Sequence, residues 1–135
     1  MRIVLGKKGD YSIRAVLHLA RHYGEGRRKT REIATAMSIP QSFLSRILAN
    51  LVRHGLLVAV AGQEGGYELS RPPSRISLLE VIEAAEEETE LRRCILRGIP
   101  CAQGSICSVH NAWFAAQDAM VEQLKKTTID QIAQR

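Results

Sequence analysis

The stretch Ile39-Pro40-Gln41-Ser42-Phe43-Leu44-Ser45-Arg46-Ile47-Leu48-Ala49-Asn50-Leu51-Val52-Arg53 decides how the chain is read. Its apolar residues Phe43, Leu44, Ile47, Leu48, Leu51 and Val52 recur at one- and three-residue steps, the signature of a helix with a single buried face. The opposite face carries Gln41, Ser42, Ser45, Arg46, Ala49 and Arg53, which are short, polar or cationic. Pro40 stands where a helix tolerates proline, at its start, because the missing N–H would have no intrahelical partner there. A helix built this way packs one face on its own domain and leaves the other free to reach base edges in a major groove.

Upstream of this stretch, Thr30 is placed to cap a short helix through Ile33, Ala34 and Met37, ending near Ser38. A polar loop from Glu25 to Lys29, flanked by Gly24 and Gly26, separates it from a first helix over Asp10 to Tyr23. Downstream, Gly55 ends the helix, and Leu56 to Ala61 reads as a strand rich in β-branched residues. The turn Gly62-Gln63-Glu64-Gly65-Gly66 leads into a returning strand at Tyr67-Glu68-Leu69, which makes a hairpin. Two helices, a tight turn and a Gly-rich hairpin are the order of a winged helix-turn-helix.

Beyond the hairpin, Arg71-Pro72-Pro73-Ser74 reads as a stiff linker, and Ser77 as the cap of a helix from Leu78 to about Glu90. The run Glu86-Glu87-Glu88 is read as a solvated helix face. Residues 92–108 contain Gly98, Pro100, Gly104 and all three cysteines without sustained periodicity, as in a loop. Val109, Trp113, Ala116, Met120 and Leu124 then mark a long amphipathic helix with a narrow, coiled-coil-like seam. The expected architecture is mainly α with a small β-hairpin wing: a winged helix-turn-helix at 1–75, and a connecting helix, cysteine loop and long C-terminal dimerisation helix at 76–135, in one integrated domain.

Composition agrees with a globular chain. The 135 residues are 45% hydrophobic and 24% charged, too apolar for a disordered polymer. No apolar run is long enough to span a bilayer, and the first residues lack the apolar core of a secretory signal, so a cytoplasmic, non-membrane protein is expected. The net charge of +5 divides unevenly. Residues 1–75 hold 13 Lys+Arg and 5 Asp+Glu, a balance of +8, and residues 76–135 hold 6 and 9, a balance of −3. A basic first half points to a polyanion. Gln41, Ser42, Ser45 and Arg46 are the candidates for base edges, with Arg46 assigned to a guanine or a phosphate. Arg27, Arg28, Lys29 and Arg31 are the candidates for backbone positioning, Gln63 for a minor groove and Arg71 for a nearby phosphate.

Several of these residues together carry a resemblance. The run Ile39 to Leu48, followed by Leu51 and Gly55-Leu56-Leu57, the wing Gly65-Gly66-Tyr67-Glu68-Leu69-Ser70-Arg71-Pro72 and the segment Ile76-Ser77-Leu78-Leu79-Glu80-Val81-Ile82-Glu83-Ala84 closely resemble the Rrf-two family of bacterial winged-helix regulators, from Met1 to about Ile129. The resemblance implies a homodimer on palindromic double-stranded DNA, with the long C-terminal helix as the dimer element.

Cys94, Cys101, Cys107 and His110 form a second constellation, separated by six, five and two residues. Three thiolates and an imidazole can hold an iron-sulfur cluster, and the same donors could bind zinc. Only the Cys107 to His110 gap is as tight as zinc sites usually require, which leans toward the larger cofactor. The resemblance points the same way, since cluster-binding members carry three cysteines in this loop, although the first gap here is longer than their commoner one. As fourth ligand His110 matches the arrangement that implies a two-iron cluster, and Asp10 aligns with an acidic residue used, often from the partner subunit, for a four-iron cluster. The expected function is a dimeric DNA-binding regulator that senses redox state, nitric oxide or iron-sulfur supply. A same-fold regulator using zinc or direct thiol oxidation, an iron-sulfur electron carrier and a winged-helix adaptor are the alternatives. No nucleophile motif or phosphate-cradling loop is present, so no enzyme is expected.

Overall fold

A computed structural model describes residues 5–86 and 109–133. Helix α1 runs Lys7–Arg21, α2 Thr30–Met37 and α3 Gln41–Arg53; strands β1 Leu57–Val60 and β2 Gly66–Leu69 follow. A 3-10 turn at Pro73–Arg75 leads to α4 Leu78–Ala85, and after the segment 87–108 come α5 His110–Lys126 and α6 Ile129–Ala133. The mainly helical fold with a two-stranded wing is the one the apolar periodicities require.

Helix α1 begins before Asp10 because its N-terminus has an acceptor from far along the chain. The Glu86 carboxylate takes a hydrogen bond from the Gly6 amide at 3.2 Å, and a negative charge is favourable at that end of a helix. Gly9 is what allows this approach: a Cβ there would lie 3.0 Å from Glu86 Oε1 and 3.2 Å from Leu5 Cβ. Ala15, Val16, Leu19 and Ala20 form the buried face of α1.

Helix α2 starts at Thr30 itself, with Lys29 at the capping position and no side-chain cap. The turn to α3 passes through Ser38, whose φ of 56° makes it the one non-glycine residue with positive φ among the described residues. There the Ile39 amide folds back onto the Ala34 carbonyl at 3.0 Å. Pro40 occupies the N-cap position of α3 rather than its first turn. Leu44, Ile47, Leu48 and Leu51 are buried as the spacing demands, and Phe43 and Val52 are half-buried.

The strands pair antiparallel, Leu57 with Leu69 through Val60 with Gly66. Two glycines make the turn possible. A Cβ on Gly65 would fall 2.1 Å from the Val60 carbonyl oxygen, and Gly66 has φ 135° with the Arg28 carbonyl 2.6 Å from where its Cβ would be. That second approach marks an unexpected third edge: Arg28 and Tyr67 exchange both backbone hydrogen bonds, at 2.9 and 2.8 Å. The loop before α2 is therefore part of the wing.

Within the expected stiff linker, Arg71, Pro72 and Pro73 are half-buried and Ser74 is exposed, and the chain leads to the fully buried Ile76. Helix α4 has the expected cap in its reciprocal form, the Glu80 amide donating to Ser77 Oγ at 3.1 Å and the Ser77 amide to Glu80 Oε2 at 2.8 Å. It ends at Ala85, with Glu86 already extended; the expected end near Glu90 lies outside the described residues.

The C-terminal helix α5 covers the expected seam positions from Trp113 to Leu124 and ends at Lys126. Thr127 is extended, the Leu78 amide donates to its carbonyl at 2.8 Å, and the Ile129 amide donates to Ile76 at 2.9 Å, so the chain turns back onto the 3-10 segment and closes with α6. Two consecutive β-branched residues, Thr127 and Thr128, favour this extended corner. Of the expected seam, Trp113, Met120 and Leu124 are half-buried within the chain and Val109 and Ala116 are exposed, while Gln117 is the buried residue of the helix. Val16, Ile33, Leu44, Leu48, Leu51, Ile76, Val81 and Ile129 share one core, so residues on both sides of position 75 are packed together.

Candidate nucleic-acid interface

Burial of the leucine face leaves Gln41, Ser42, Ser45 and Arg46 together and exposed on the outside of α3. Ser45 Oγ donates to the Gln41 carbonyl at 3.2 Å, which keeps it close to the helix surface. Arg46 has no hydrogen bond or ion pair among the described residues, so its guanidinium is presented to solvent. The first turn of α3 has neither an acidic residue nor a side-chain cap, which leaves its amides open to an anion. Its placement is fixed from inside by Tyr11, whose ring meets Phe43 edge-to-face at 5.3 Å.

The basic arm before α2 is different. Arg27 Nη1 donates to the Glu64 carbonyl at 3.5 Å, and its Nε lies 3.7 Å from Glu68. Lys29 Nζ donates to the Gly62 carbonyl at 2.8 Å. Both side chains thus reach the wing turn and bring positive charge beside Gln63, which is exposed at its tip. Arg28 is turned inward, hydrogen-bonded to Glu32 at 3.2 Å and 3.6 Å from Glu25. Arg31 is exposed and has no such partner among the described residues. Arg71 is committed elsewhere: it donates to the Arg75 carbonyl at 2.8 Å and pairs with Glu80 at 2.5 Å, bracing the start of α4.

Sequence reading missed two side-chain networks, although i to i+4 spacing marks both. Asp10 and Arg14 pair through both carboxylate oxygens at 2.9 and 3.0 Å, and Arg14 also donates to the Met37 carbonyl at 3.2 Å, tying α1 to the end of α2. His18 and His22 lie ring against ring, centroids 4.7 Å apart, beside Glu25, Arg28 and Glu32. Burial, and then the neighbouring His22, hold the His18 pKa below its ordinary 6.5 despite the facing Glu32 carboxylate.

Of the expected cofactor ligands, Cys94, Cys101 and Cys107 lie outside the described residues. His110 is the first residue of α5, its ring 4.5 Å from that of Phe114. Asp10 is in the first turn of α1, and its carboxylate is held by Arg14. Among the described residues no group of three or more His, Cys, Asp or Glu gathers as a metal site.

A buried-backed, polar-faced helix preceded by a tight turn and followed by a wing defines a winged helix-turn-helix DNA-binding transcriptional regulator. Comparison with known proteins narrows the class. The Rrf2 (Rrf-two) family profile, described as an iron-dependent transcriptional regulator, matches residues 5–135, and the chain belongs to that family. It is 31% identical to the HTH-type transcriptional regulator IscR of Pectobacterium carotovorum over 128 residues, 95% of this chain and 77% of that protein. Among solved structures it is similar to CymR, the global cysteine regulator of B. subtilis, with TM-score 0.82, 24% identity and 98% of each chain covered. It is also similar to T. potens IscR, with TM-score 0.79, 25% identity, and 96% of this chain and 86% of that one covered.

Proposed function

We propose that this regulator binds palindromic double-stranded DNA as a homodimer and responds to redox state, nitric oxide or iron-sulfur supply through an iron-sulfur cluster held by Cys94, Cys101 and Cys107. The observation that supports DNA reading most directly is the exposed set Gln41, Ser42, Ser45 and Arg46, backed by buried Leu44, Ile47, Leu48 and Leu51. In this reading Arg46 contacts a guanine or a phosphate, Ser42 and the first-turn amides of α3 meet backbone phosphate, and Gln41 and Ser45 face base edges. Arg27 and Lys29 supply charge beside the wing tip, where Gln63 faces the minor groove, and Arg31 meets phosphate from the start of α2. Arg28 and Arg71 contribute by holding the wing and α4 in place. Two-fold symmetry of the protein then sets the half-site spacing of the DNA.

The cofactor assignment rests on the donor chemistry of the chain, three thiolates with a fourth ligand from His110 or Asp10, together with the likeness to IscR. A bound cluster would supply a redox-active, nitric-oxide-reactive centre. His110 enters as the first residue of α5, with its ring beside Phe114, and Asp10 from the first turn of α1, where its carboxylate is paired with Arg14. The segment that carries the cysteines leaves α4 at Glu86, whose carboxylate sits on the first turn of α1, and rejoins the described structure at α5. Its two ends are thereby tied to the same body that carries α3. The protein works as one unit in the cytoplasm, and its role is regulation rather than catalysis.

Two measurements test the proposal. Fluorescence anisotropy on duplexes selected by the protein from a random pool should show binding that weakens steeply with salt. Iron and sulfide quantitation on protein purified without oxygen should find both, and Cys101→Ala should abolish the visible absorption. Zinc instead of iron, or neither, would leave the DNA reading standing and replace the cluster by a zinc or thiol switch.

A further inference from the structure

Beneath the basic arm, five side chains form a closed polar ring: His18 and His22 from α1, Glu25 and Arg28 from the loop before α2, and Glu32 from α2. Two of its atoms are contested. Glu32 Oε2 accepts from Arg28 Nη1 at 3.2 Å and lies 3.8 Å from His18 Nε2. Glu25 Oε1 lies 3.6 Å from both Arg28 Nη2 and His22 Nδ1. His18 Nε2 and His22 Nδ1 are buried and lack hydrogen-bond partners, so each histidine is oriented toward a carboxylate that Arg28 already holds. Arg28 also exchanges both backbone hydrogen bonds with Tyr67 of β2, and it is the point where this ring is joined to the wing.

We propose that Arg28 is a positioning residue for the wing and that His18 and His22 make this positioning proton-dependent, so that acidification loosens the wing and weakens DNA binding. With both histidines neutral the ring holds two carboxylates and one cation, and Arg28 bridges the two acids. Each added proton creates an imidazolium that competes for the same oxygen atoms. With two protons added, three cations share two carboxylates, and His18 and His22 repel one another across their ring contact. Arg28 then loses the bridge between Glu25 and Glu32 that fixes the arm to α2. The charges facing the histidines come from every neighbouring element: Glu25 and Arg28 from the loop, Glu32 from α2, and Glu68 from β2, which lines the shallow cavity beside His22 with Leu19, Tyr23 and Gly26. Burial of His18 favours its neutral form, which leaves the Glu32 carboxylate to Arg28.

A simple charge effect runs the other way, since added positive charge strengthens binding to a polyanion. The direction of the pH profile therefore separates the two. This inference rests on the DNA-binding reading, and the test distinguishes their failures. Affinity of the full chain for duplexes selected from a random pool at about pH 7.5 is measured down to about pH 5.5, beside His18→Gln/His22→Gln, with circular dichroism confirming the fold. The wild type should bind about fivefold or more weakly at the acidic end, and the double variant should lose that decline. Arg28→Lys, which keeps the charge without the planar two-acid bridge, should bind weakly at both ends and also show a flat profile. Amide exchange supplies a readout without DNA: protection of the Tyr67 amide should fall on acidification in the wild type and not in the double variant. Parallel profiles, an affinity that rises with acid, or unchanged Tyr67 protection would overturn the inference while leaving the DNA reading intact. No binding at any pH would overturn both.

Discussion

Arg46 on the outer face of α3 is exposed and without an acidic partner among the described residues, whereas Arg28, eighteen positions earlier, is held between Glu25 and Glu32. The two residues count equally in the net charge of the first half. They differ in what surrounds them: α3 offers no carboxylate on its outer face, while the arm before α2 lies over a ring of acids and histidines. Charge that is already compensated inside the fold contributes structure, and charge left open is the charge the proposal assigns to recognition. Arg27 and Lys29 fall between, since they reach the Glu64 and Gly62 carbonyls and keep their positive charge near the wing tip.

The most severe test of this division is at the wing. Gly65→Ala would set a Cβ 2.1 Å from the Val60 oxygen; the turn must open, stability should drop by about 2 kcal/mol or more in thermal melts, and DNA affinity should collapse with it. Arg46→Ala should weaken DNA binding about tenfold with an unchanged melting temperature, because it removes the proposed contact to DNA and no hydrogen bond or ion pair among the described residues. Lys29→Ala should cost affinity only about threefold and flatten the salt dependence by about one unit of slope, as loss of one phosphate contact does. If Lys29→Ala matched or exceeded Arg46→Ala, the contrast between arm and recognition face would be reversed.

Smaller effects concern stability alone. Ser38 adopts a left-handed conformation that glycine occupies without strain, so Ser38→Gly should stabilise the protein by about 1 kcal/mol in urea titrations and leave affinity unchanged. His18 has a lowered native pKa, so just below 6.5 the unfolded chain binds more protons than the native one. Its contribution is present in full above 6.5 and is lost as pH falls from there toward the native value. Melting temperature should therefore decline over that range, and His18→Gln should make the decline shallower.

Much of the fold was legible because it rests on local pattern. Buried Leu44, Leu48 and Leu51 follow directly from the α3 spacing, Ser77 and Glu80 spell out the α4 cap, and the glycines mark the wing turn. What escaped were pairings across sequence distance. Glu86 meets Gly6 across 80 residues, Arg28 joins Tyr67 by backbone alone, and Ile129 docks on Ile76 through a corner that continuous helical spacing conceals. The candidate site divides the same way: the outer face of α3 can be read from periodicity, but that Arg28 and Arg71 face acids inside the fold depends on tertiary neighbours that residue type does not encode.

The central claim is that the outer face of α3 reads DNA. Anisotropy titrations of the wild-type chain and Arg46→Ala on a duplex selected from a random pool, repeated across salt concentrations, test it most directly. The account predicts salt-sensitive binding by the wild type and a loss of about tenfold in the variant at unchanged thermal stability. Equal affinity of the two proteins, or no salt-sensitive binding by either, would contradict it.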